Sequence, residues 1–399
     1  MSRGWRIALG ILLALVIAAM SFVGAVIFLN EKYAGAFSVD TGSAVLDKAA
    51  EVQAVVDRYF IDDYDEQTLA DGAAAGIVAA TGDEWSYYLS ADEYQEYEES
   101  MQNAYVGIGV TITADEDAGG MRIESVTPGG PAEEAGIEVG DVLLTVNGTQ
   151  VLPLGVDGTR DLVRGEAGTT LEMHFERSGE PYDVTVERRS IETEVASCEL
   201  LEGGIGYIRI ENFDERCADE TTACIREMTD AGAKALLFDV RFNPGGYADE
   251  LVKVLDCLLP EGDLFRSVDY AGHEEVDTSD ASCVELPMAV LVNEESYSAA
   301  EFFAAALQEY DWATIVGSQT HGKGNFQSAF RLSDGSMVNL SIGKYYTPSG
   351  KSLTETGVTP DVVVDLDDEQ YALLYYGALE RENDPQFQAA LDTLTQEIS

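Results

Sequence analysis

The sequence predicts a multidomain α/β protein: an N-terminal transmembrane helix, a helical segment, a β-rich module and an α/β core with a helical tail. Three observations predict it. Ile7 to Leu29 form one apolar run; residues 104–188 hold short apolar stretches broken by turn residues; and beyond residue 189 strand-like and helix-like periodicities alternate. A chain of 399 residues, 46% of them hydrophobic, is long enough for two or three domains with cores of their own.

The elements follow in order. Arg3 and Arg6 precede the run at 7–29, which is long enough to cross a hydrocarbon layer of about 30 Å. With positive charge before it and Asn30-Glu31 after it, the expected arrangement is a cytoplasmic N-terminus and a single-pass anchor in the cell membrane (residues 1–30), with the bulk of the chain extracytoplasmic. A cleavable signal peptide is the rival, because Ala34-Gly35-Ala36 resembles a cleavage site, but the run exceeds the usual apolar region of about 7–15 residues.

Residues 40–103 read as helices, with Val52, Val55, Val56 and Tyr59 spaced for one face and Leu69, Ala73, Ile77 and Val78 for another. Two roles are open to this segment: a spacer, or a surface for homo-oligomerisation. The formal charge of −50, from 73 acidic and 23 basic residues, argues against a nucleic-acid partner, because phosphate binding needs clustered Lys and Arg. Five scattered cysteines, Cys198, Cys217, Cys224, Cys257 and Cys283, form no metal-ligand pattern, and neither a metal nor a cofactor is expected.

Between 104 and 188, Tyr105-Val106-Gly107-Ile108-Gly109-Val110 precedes Pro128-Gly129-Gly130-Pro131-Ala132 and then Gly140-Asp141-Val142-Leu143-Leu144-Thr145-Val146-Asn147-Gly148. Asn147-Gly148 fits a tight hairpin turn. This order resembles a PDZ domain. The resemblance implies that Gly107, Ile108, Gly109 and Val110 bind peptide, the glycine loop offering backbone N–H groups to a terminal carboxylate and the next strand pairing with the peptide.

In the core, 189–366, Ile205 to Ile210, Ala235 to Val240 and Met288 to Val292 read as buried strands, and Ala248 to Leu259 and Ser298 to Tyr310 as helices. Gln327 to Leu332 and Met337 to Tyr345 bracket a hairpin turn at Ser333-Asp334-Gly335-Ser336, and residues 367–399 form the tail. Ser298 stands where a strand and loop meet a helix rich in small residues. There its hydroxyl is exposed beside free backbone N–H groups that favour developing negative charge. Lys323 lies between Gly322 and Gly324, which permit backbone conformations that turn its side chain inward. The pair suggests a serine hydrolase with lysine as base.

The ordered set Phe238-Asp239-Val240-Arg241-Phe242-Asn243-Pro244-Gly245-Gly246, the serine and lysine segments, Lys344-Tyr345-Tyr346-Thr347-Pro348-Ser349-Gly350 and Gly357-Val358-Thr359-Pro360-Asp361 resembles the C-terminal processing, or tail-specific, serine peptidases. That resemblance implies a crotonase-like layered core and a peptidase that cleaves near protein C-termini. It also implies Lys323 as base, Gln327 as its orienting amide, Glu301 as a further site residue and the Gly246 N–H as an oxyanion donor. The Ala299 N–H, which follows the nucleophile, is the second donor expected.

A lysine serves as base only when neutral, so its pKa must fall from about 10.4 through burial. Phe326, Val292 and Phe302 are the expected desolvating neighbours. His321, two positions away, is the competing base, whereas His174 and His273 have no such surroundings. Expected substrates are proteins with apolar C-terminal tails, cleaved without ATP, since no nucleotide-binding glycine loop with a following Lys and Ser or Thr occurs. The alternatives are a catalytically silent PDZ peptide-binding scaffold of the cell envelope, which has no need of Ser298, Lys323 and Gln327, and an acyl-CoA-type enzyme on a related core.

Overall fold

A computed structural model describes residues 42–399. The transmembrane helix expected over residues 7–29, and the membrane placement drawn from it, lie outside the described residues. Among the described residues no helix is long and apolar enough to cross a membrane. The longest, Ala44–Tyr59, has 16 residues, or about 24 Å at ~1.5 Å per residue, and carries Asp47, Lys48 and Arg58. Over the described residues the expected fold class is therefore corrected to a helical segment, a β-rich module and an α/β core with a helical tail, with no membrane-spanning helix among them.

Two compact units divide the chain after Gly82. The first is a pair of helices, Ala44–Tyr59 and Glu66–Ala79, N-capped by Ser43 and Asp65. The face expected to be apolar is apolar but uncovered, with Val52, Val55, Tyr59 and Ile77 exposed.

The second unit begins with the short strand Tyr87–Leu89 and the helix Ala91–Met101. A barrel-like module follows, its main sheet ordered Val110–Asp115, Gly120–Val126, Val142–Val146, Thr170–Arg177 and Glu180–Glu187. Its core holds Ile108, Met121, Ile123, Leu143 and Phe175. Asn147 and Gly148 both take positive φ, and Val146 pairs with Thr149 across them. Val110–Asp115 is an edge strand, with the helix Gly155–Val163 packed beside it. An edge strand beside a helix is where a peptide can add as a further strand.

The core is a six-stranded sheet ordered Ala196–Leu201, Ile205–Ile210, Ala235–Asp239, Met288–Val292, Ala313–Gly317 and Val362–Val363. Only the first pairing is antiparallel. The central strands are continuous apolar runs because both faces are covered. Ile208, Leu236, Phe238, Val290 and Val292 face the helices Cys217–Asp230, Ala248–Leu258 and Ala299–Glu309. Tyr207, Leu237, Ala289 and Leu291 face the C-terminal helix Pro385–Glu397. Asp239, Arg241 and Asp384 join that helix to the sheet in a buried charged cluster, with Arg241 2.7 Å from both carboxylates. A smaller sheet contains the hairpin Asn325–Arg331 and Met337–Tyr346 at the expected place.

Candidate active site

Parallel strands end in loops at their carboxyl edge, and these loops meet at Ser298. Met288–Val292 leads into Asn293, whose side-chain oxygen accepts hydrogen bonds from the N–H groups of Phe242 (2.9 Å) and Glu295 (3.2 Å). Ser296 Oγ donates to Val240 O at 2.7 Å and accepts from Asn293 N–H at 3.0 Å. Asn243 answers from the neighbouring loop: its Nδ2 donates to Ile210 O, its Oδ1 accepts from Gly245 N–H, and its carbonyl accepts from Tyr297 N–H. Two loops are thereby fixed to one another by side chains bonded to main chain.

The result is a tense turn at the serine. Ser298 has φ 57° and ψ −123°, an unfavourable conformation for a residue with a Cβ, and it starts the helix Ala299–Glu309. A strand-to-helix turn of this strained kind projects a nucleophile out of its loop. Gly245 lies directly beneath: a Cβ there would come within 2.7 Å of Ser298 Cβ and 2.9 Å of Ala299 N. At Gly246, with φ 148°, a Cβ would meet the Phe213 carbonyl carbon at 2.3 Å. Among the described residues, neither the Gly246 nor the Ala299 N–H donates to a protein acceptor.

Glu301 is fully buried and fastens the serine to the lysine loop. Its Oε2 accepts from Ser298 N–H (3.0 Å) and Lys323 N–H (2.8 Å), and its Oε1 from Gly322 N–H (2.7 Å) and Thr320 Oγ1 (2.6 Å). Burial pushes the Glu301 carboxyl up, and the four donors oppose that shift. All four neighbours are donors, so a protonated Glu301 would lose an acceptor site, and the arrangement suits the carboxylate.

The Lys323 side chain is half-buried. Its Nζ sits 4.4 Å from the centre of the Trp85 ring and 5.9 Å from that of Tyr297. Burial holds the amine below the ordinary lysine range, while the Glu301 and Asp83 carboxylates pull it back up. Of the expected desolvating neighbours, Phe326 lines the same cavity as Lys323, whereas Val292 and Phe302 are corrected. Val292 and Phe302 belong to the core, and the rings against the amine are those of Trp85 and Tyr297. Gln327 is also not where the resemblance would have it, because its Nε2 donates to Asn325 O and Ser341 Oγ, both at 3.1 Å. Among the described residues no hydrogen bond joins Lys323 Nζ to Gln327 or to Ser298 Oγ. His321 is exposed and packs edge-on to Trp85 at 5.5 Å.

Ser298, Lys323, Gly245, Gly246 and Gln327 line one cavity of about 720 Å³, with Trp85 and Tyr297 on its wall. In the β-rich module Gly109 has φ 78°, and the Ile108 and Gly109 N–H groups have no protein acceptor among the described residues. Ile108 itself is buried, while Val110 opens the edge strand. Among the described residues no group of His, Cys, Asp and Glu could hold a metal ion, and all five cysteines are free thiols.

Trp85, Asn243, Asn293, Ser296 and Thr320 are the site residues that sequence reasoning left without a role. Asn293-Glu294-Glu295-Ser296 carries the signal of a side-chain-closed loop, but nothing in the sequence points from Trp85 to Lys323.

A strained serine at a helix start, unpaired backbone donors and a half-buried lysine on one cleft, joined to a PDZ domain, define a serine peptidase. Comparison with known proteins agrees: the sequence model of peptidase family S41 matches residues 204–364, and that of the PDZ domain residues 122–177. The carboxy-terminal processing protease CtpA of Bacillus subtilis (strain 168) is 32% identical over 350 residues, which is 87% of this chain and 74% of that protein. A protein of Staphylococcus aureus (strain MSSA476) named as a probable CtpA-like serine protease is 30% identical over 91% of this chain and 73% of its own length. The tricorn protease structure, 16% identical, aligns with a TM-score of 0.51 over 89% of this chain and 37% of its own, a likeness of fold alone. The chain belongs to peptidase family S41, the C-terminal processing serine proteases, and is a serine endopeptidase.

Proposed function

We propose that this endopeptidase cleaves proteins near their C-termini with Ser298 as nucleophile and Lys323 as general base, without ATP. Residues 104–188 serve as the recognition module, 189–366 as the catalytic core, 40–103 as a helical accessory and 367–399 as the tail that braces the core. The observation that carries the reading is the strained Ser298 beside two backbone donors without acceptors, on one cavity with a half-buried lysine.

Ser298 Oγ attacks the scissile carbonyl while Lys323 Nζ takes its proton; the Gly246 and Ala299 N–H groups hold the oxyanion. The lysine then returns the proton to the departing amine. A water molecule repeats the sequence on the acyl-enzyme, with the same lysine removing its proton, and releases the acid. For the first step the amine must leave the Trp85 face for the serine hydroxyl, which lines the same cavity. Glu301 acts as a positioning residue through the backbone of both segments. Substrates present a free, apolar C-terminus to the loop Gly107-Ile108-Gly109 and pair with the strand from Val110.

The test is cleavage of a protein with an apolar C-terminal tail. Ser298→Ala and Lys323→Ala should each lower the rate by several orders of magnitude without additivity, because the two act as one unit. If Lys323→Ala kept near wild-type rate while His321→Ala abolished it, the lysine assignment would be wrong.

A further inference from the structure

The cavity at Ser298 carries chemistry that the proposed cleavage step does not use. Its lining includes Asp214, Glu215 and Glu98 together with Tyr97 and Tyr247, and Lys323 is the one cation among its lining residues. Asp214 is the central member. Phe213 pairs with Gly246 as an isolated bridge, Tyr247 N–H donates to Phe213 O at 2.8 Å, and the Asp214 nitrogen lies 2.7 Å from where a Gly246 Cβ would stand. The backbone of Asp214 is therefore adjacent to the proposed oxyanion donor.

That backbone is fully engaged: its N–H donates to Asn212 Oδ1 at 3.0 Å and its carbonyl accepts from Cys217 N–H at 3.1 Å. The carboxylate, by contrast, has no hydrogen bond or ion pair among the described residues. Many carboxylates on so acidic a chain point into water, but Asp214 is half-buried and faced by tyrosines from two other segments, Tyr97 and Tyr247, whose own ionisation feels its charge. Carboxylate and aromatic faces together form a receptor for a cationic side chain, the carboxylate through charge-assisted hydrogen bonds and the rings through cation–π attraction. The Lys323 amine stands over the Trp85 ring, also on this cavity, in the geometry that such a side chain would adopt.

We propose that Asp214, with Tyr97 and Tyr247, selects substrates that carry a lysine or arginine next to the scissile bond. This rests on the reading of Ser298 as nucleophile. A cationic side chain that approaches the oxyanion loop gains a partner at Asp214 that no protein group supplies, while an apolar chain of equal length buries the carboxylate without compensation. Burial, then the neighbouring Glu215, lifts the Asp214 carboxyl to about 7. The other titratable groups around it are Tyr97, Tyr247, Glu98 and Cys217. Below that pH the acid is neutral and discrimination weakens; above it discrimination is complete.

The test measures kcat/KM of the full chain for two peptides of one sequence, lysine against norleucine, with the exchange made on either side of the scissile bond. At pH 8 the lysine peptide should be preferred by about 10- to 100-fold at one of the two positions, the range expected for one charge-assisted pair. The preference should shrink at pH 6. Asp214→Asn should collapse the ratio toward about one and remove its pH dependence, and Asp214→Glu should restore part of it. Because only a ratio is read, titration of the base cancels. A wild-type ratio near one at both positions, or a ratio unchanged in Asp214→Asn, overturns the proposal, and the wild-type arm decides even if a variant does not fold. Ser298→Ala separates the two readings: loss of cleavage there with a flat ratio sinks the selectivity alone, whereas retained cleavage sinks the nucleophile.

Discussion

Glu301→Gln perturbs the site at the group that joins its two halves. The glutamine keeps one carbonyl oxygen and replaces the other by an NH2 that can only donate, so two of the four donors to Glu301 (Thr320 Oγ1 and Gly322 N–H, or Ser298 N–H and Lys323 N–H) lose their acceptor. Each stranded buried donor costs about 1–3 kcal/mol, or about 2–6 kcal/mol for the pair. At about 2–4 °C per kcal/mol for a domain of 150–250 residues, Tm should fall by about 4–24 °C. Displacement of the nucleophile by about 1 Å should lower kcat/KM by about 100-fold. The electrostatic consequence has a separate sign. Lys323 is held low by burial and pulled up by the Glu301 carboxylate, so removal of that charge lowers the amine pKa further. Activity that depends on the neutral amine rises with pH through this pKa, and in Glu301→Gln the rising limb should move to lower pH even as the maximum falls. Thr320→Val is the control, because it removes one donor and keeps the charge; it should lower Tm less and leave the limb in place. The assay is peptide cleavage against pH, with thermal unfolding of the same samples. A limb that stays put or moves to higher pH in Glu301→Gln, or an unchanged Tm, would refute the reasoning.

Gly246→Ala should lower kcat by about 10²–10³-fold with little change in KM, the loss seen when one oxyanion donor is misdirected, because the new Cβ must push the loop off Phe213. Steady-state kinetics and circular dichroism check it, and a folded variant with wild-type kcat would exclude Gly246 as a donor. For the PDZ domain, Ser298→Ala protein should bind an apolar-tailed peptide at least about tenfold more tightly as the free acid than as the amide, because amidation removes the charge that the Ile108 and Gly109 N–H groups would hold. Equal affinities by calorimetry would show that the domain does not read a chain end.

The sequence carried the core well because local pattern and tertiary surroundings agree there. Ile205–Ile210 and Met288–Val292 are strands at the residues expected, since an unbroken apolar run of that length is stable only where both sheet faces are covered. The Asn147-Gly148 turn and the hairpin around Ser333-Asp334-Gly335-Ser336 were legible for the same reason, their chemistry being local. What escaped is non-local. Trp85 reaches Lys323 from the far end of the second unit, a meeting that no spacing rule contains. Val292 and Phe302 are apolar neighbours of the site in sequence, yet Val292 by strand alternation and Phe302 from the buried face of its helix turn into the core instead of toward the amine. Gln327 stands on the strand after the lysine, but a register shift between Phe326 and Gln327 accompanies an amide bonded to Asn325 and Ser341, a detail that an alternating pattern does not show.

The site also divides its precision unevenly. Ser298, Ala299, Gly246 and the lysine backbone are fixed through Asn243, Asn293, Ser296 and Glu301, all buried and all bonded to main chain. The donors to an oxyanion must be in place before charge develops, since reorganisation during the reaction would cost what they stabilise. The base has a different requirement. An amine bonded permanently to a carboxylate would stay protonated, whereas one resting on aromatic faces loses solvent without an ion-pair partner at Nζ, and both effects lower its pKa, so that it is neutral and has a free lone pair for the serine proton. Glu301 reconciles the two needs: it spends its lone pairs on the Lys323 N–H and three other donors, so that the carboxylate holds the lysine loop without forming an ion pair with Nζ. The same carboxyl group can fasten the loop and spare the base only because it meets the backbone N–H of Lys323 rather than its amine.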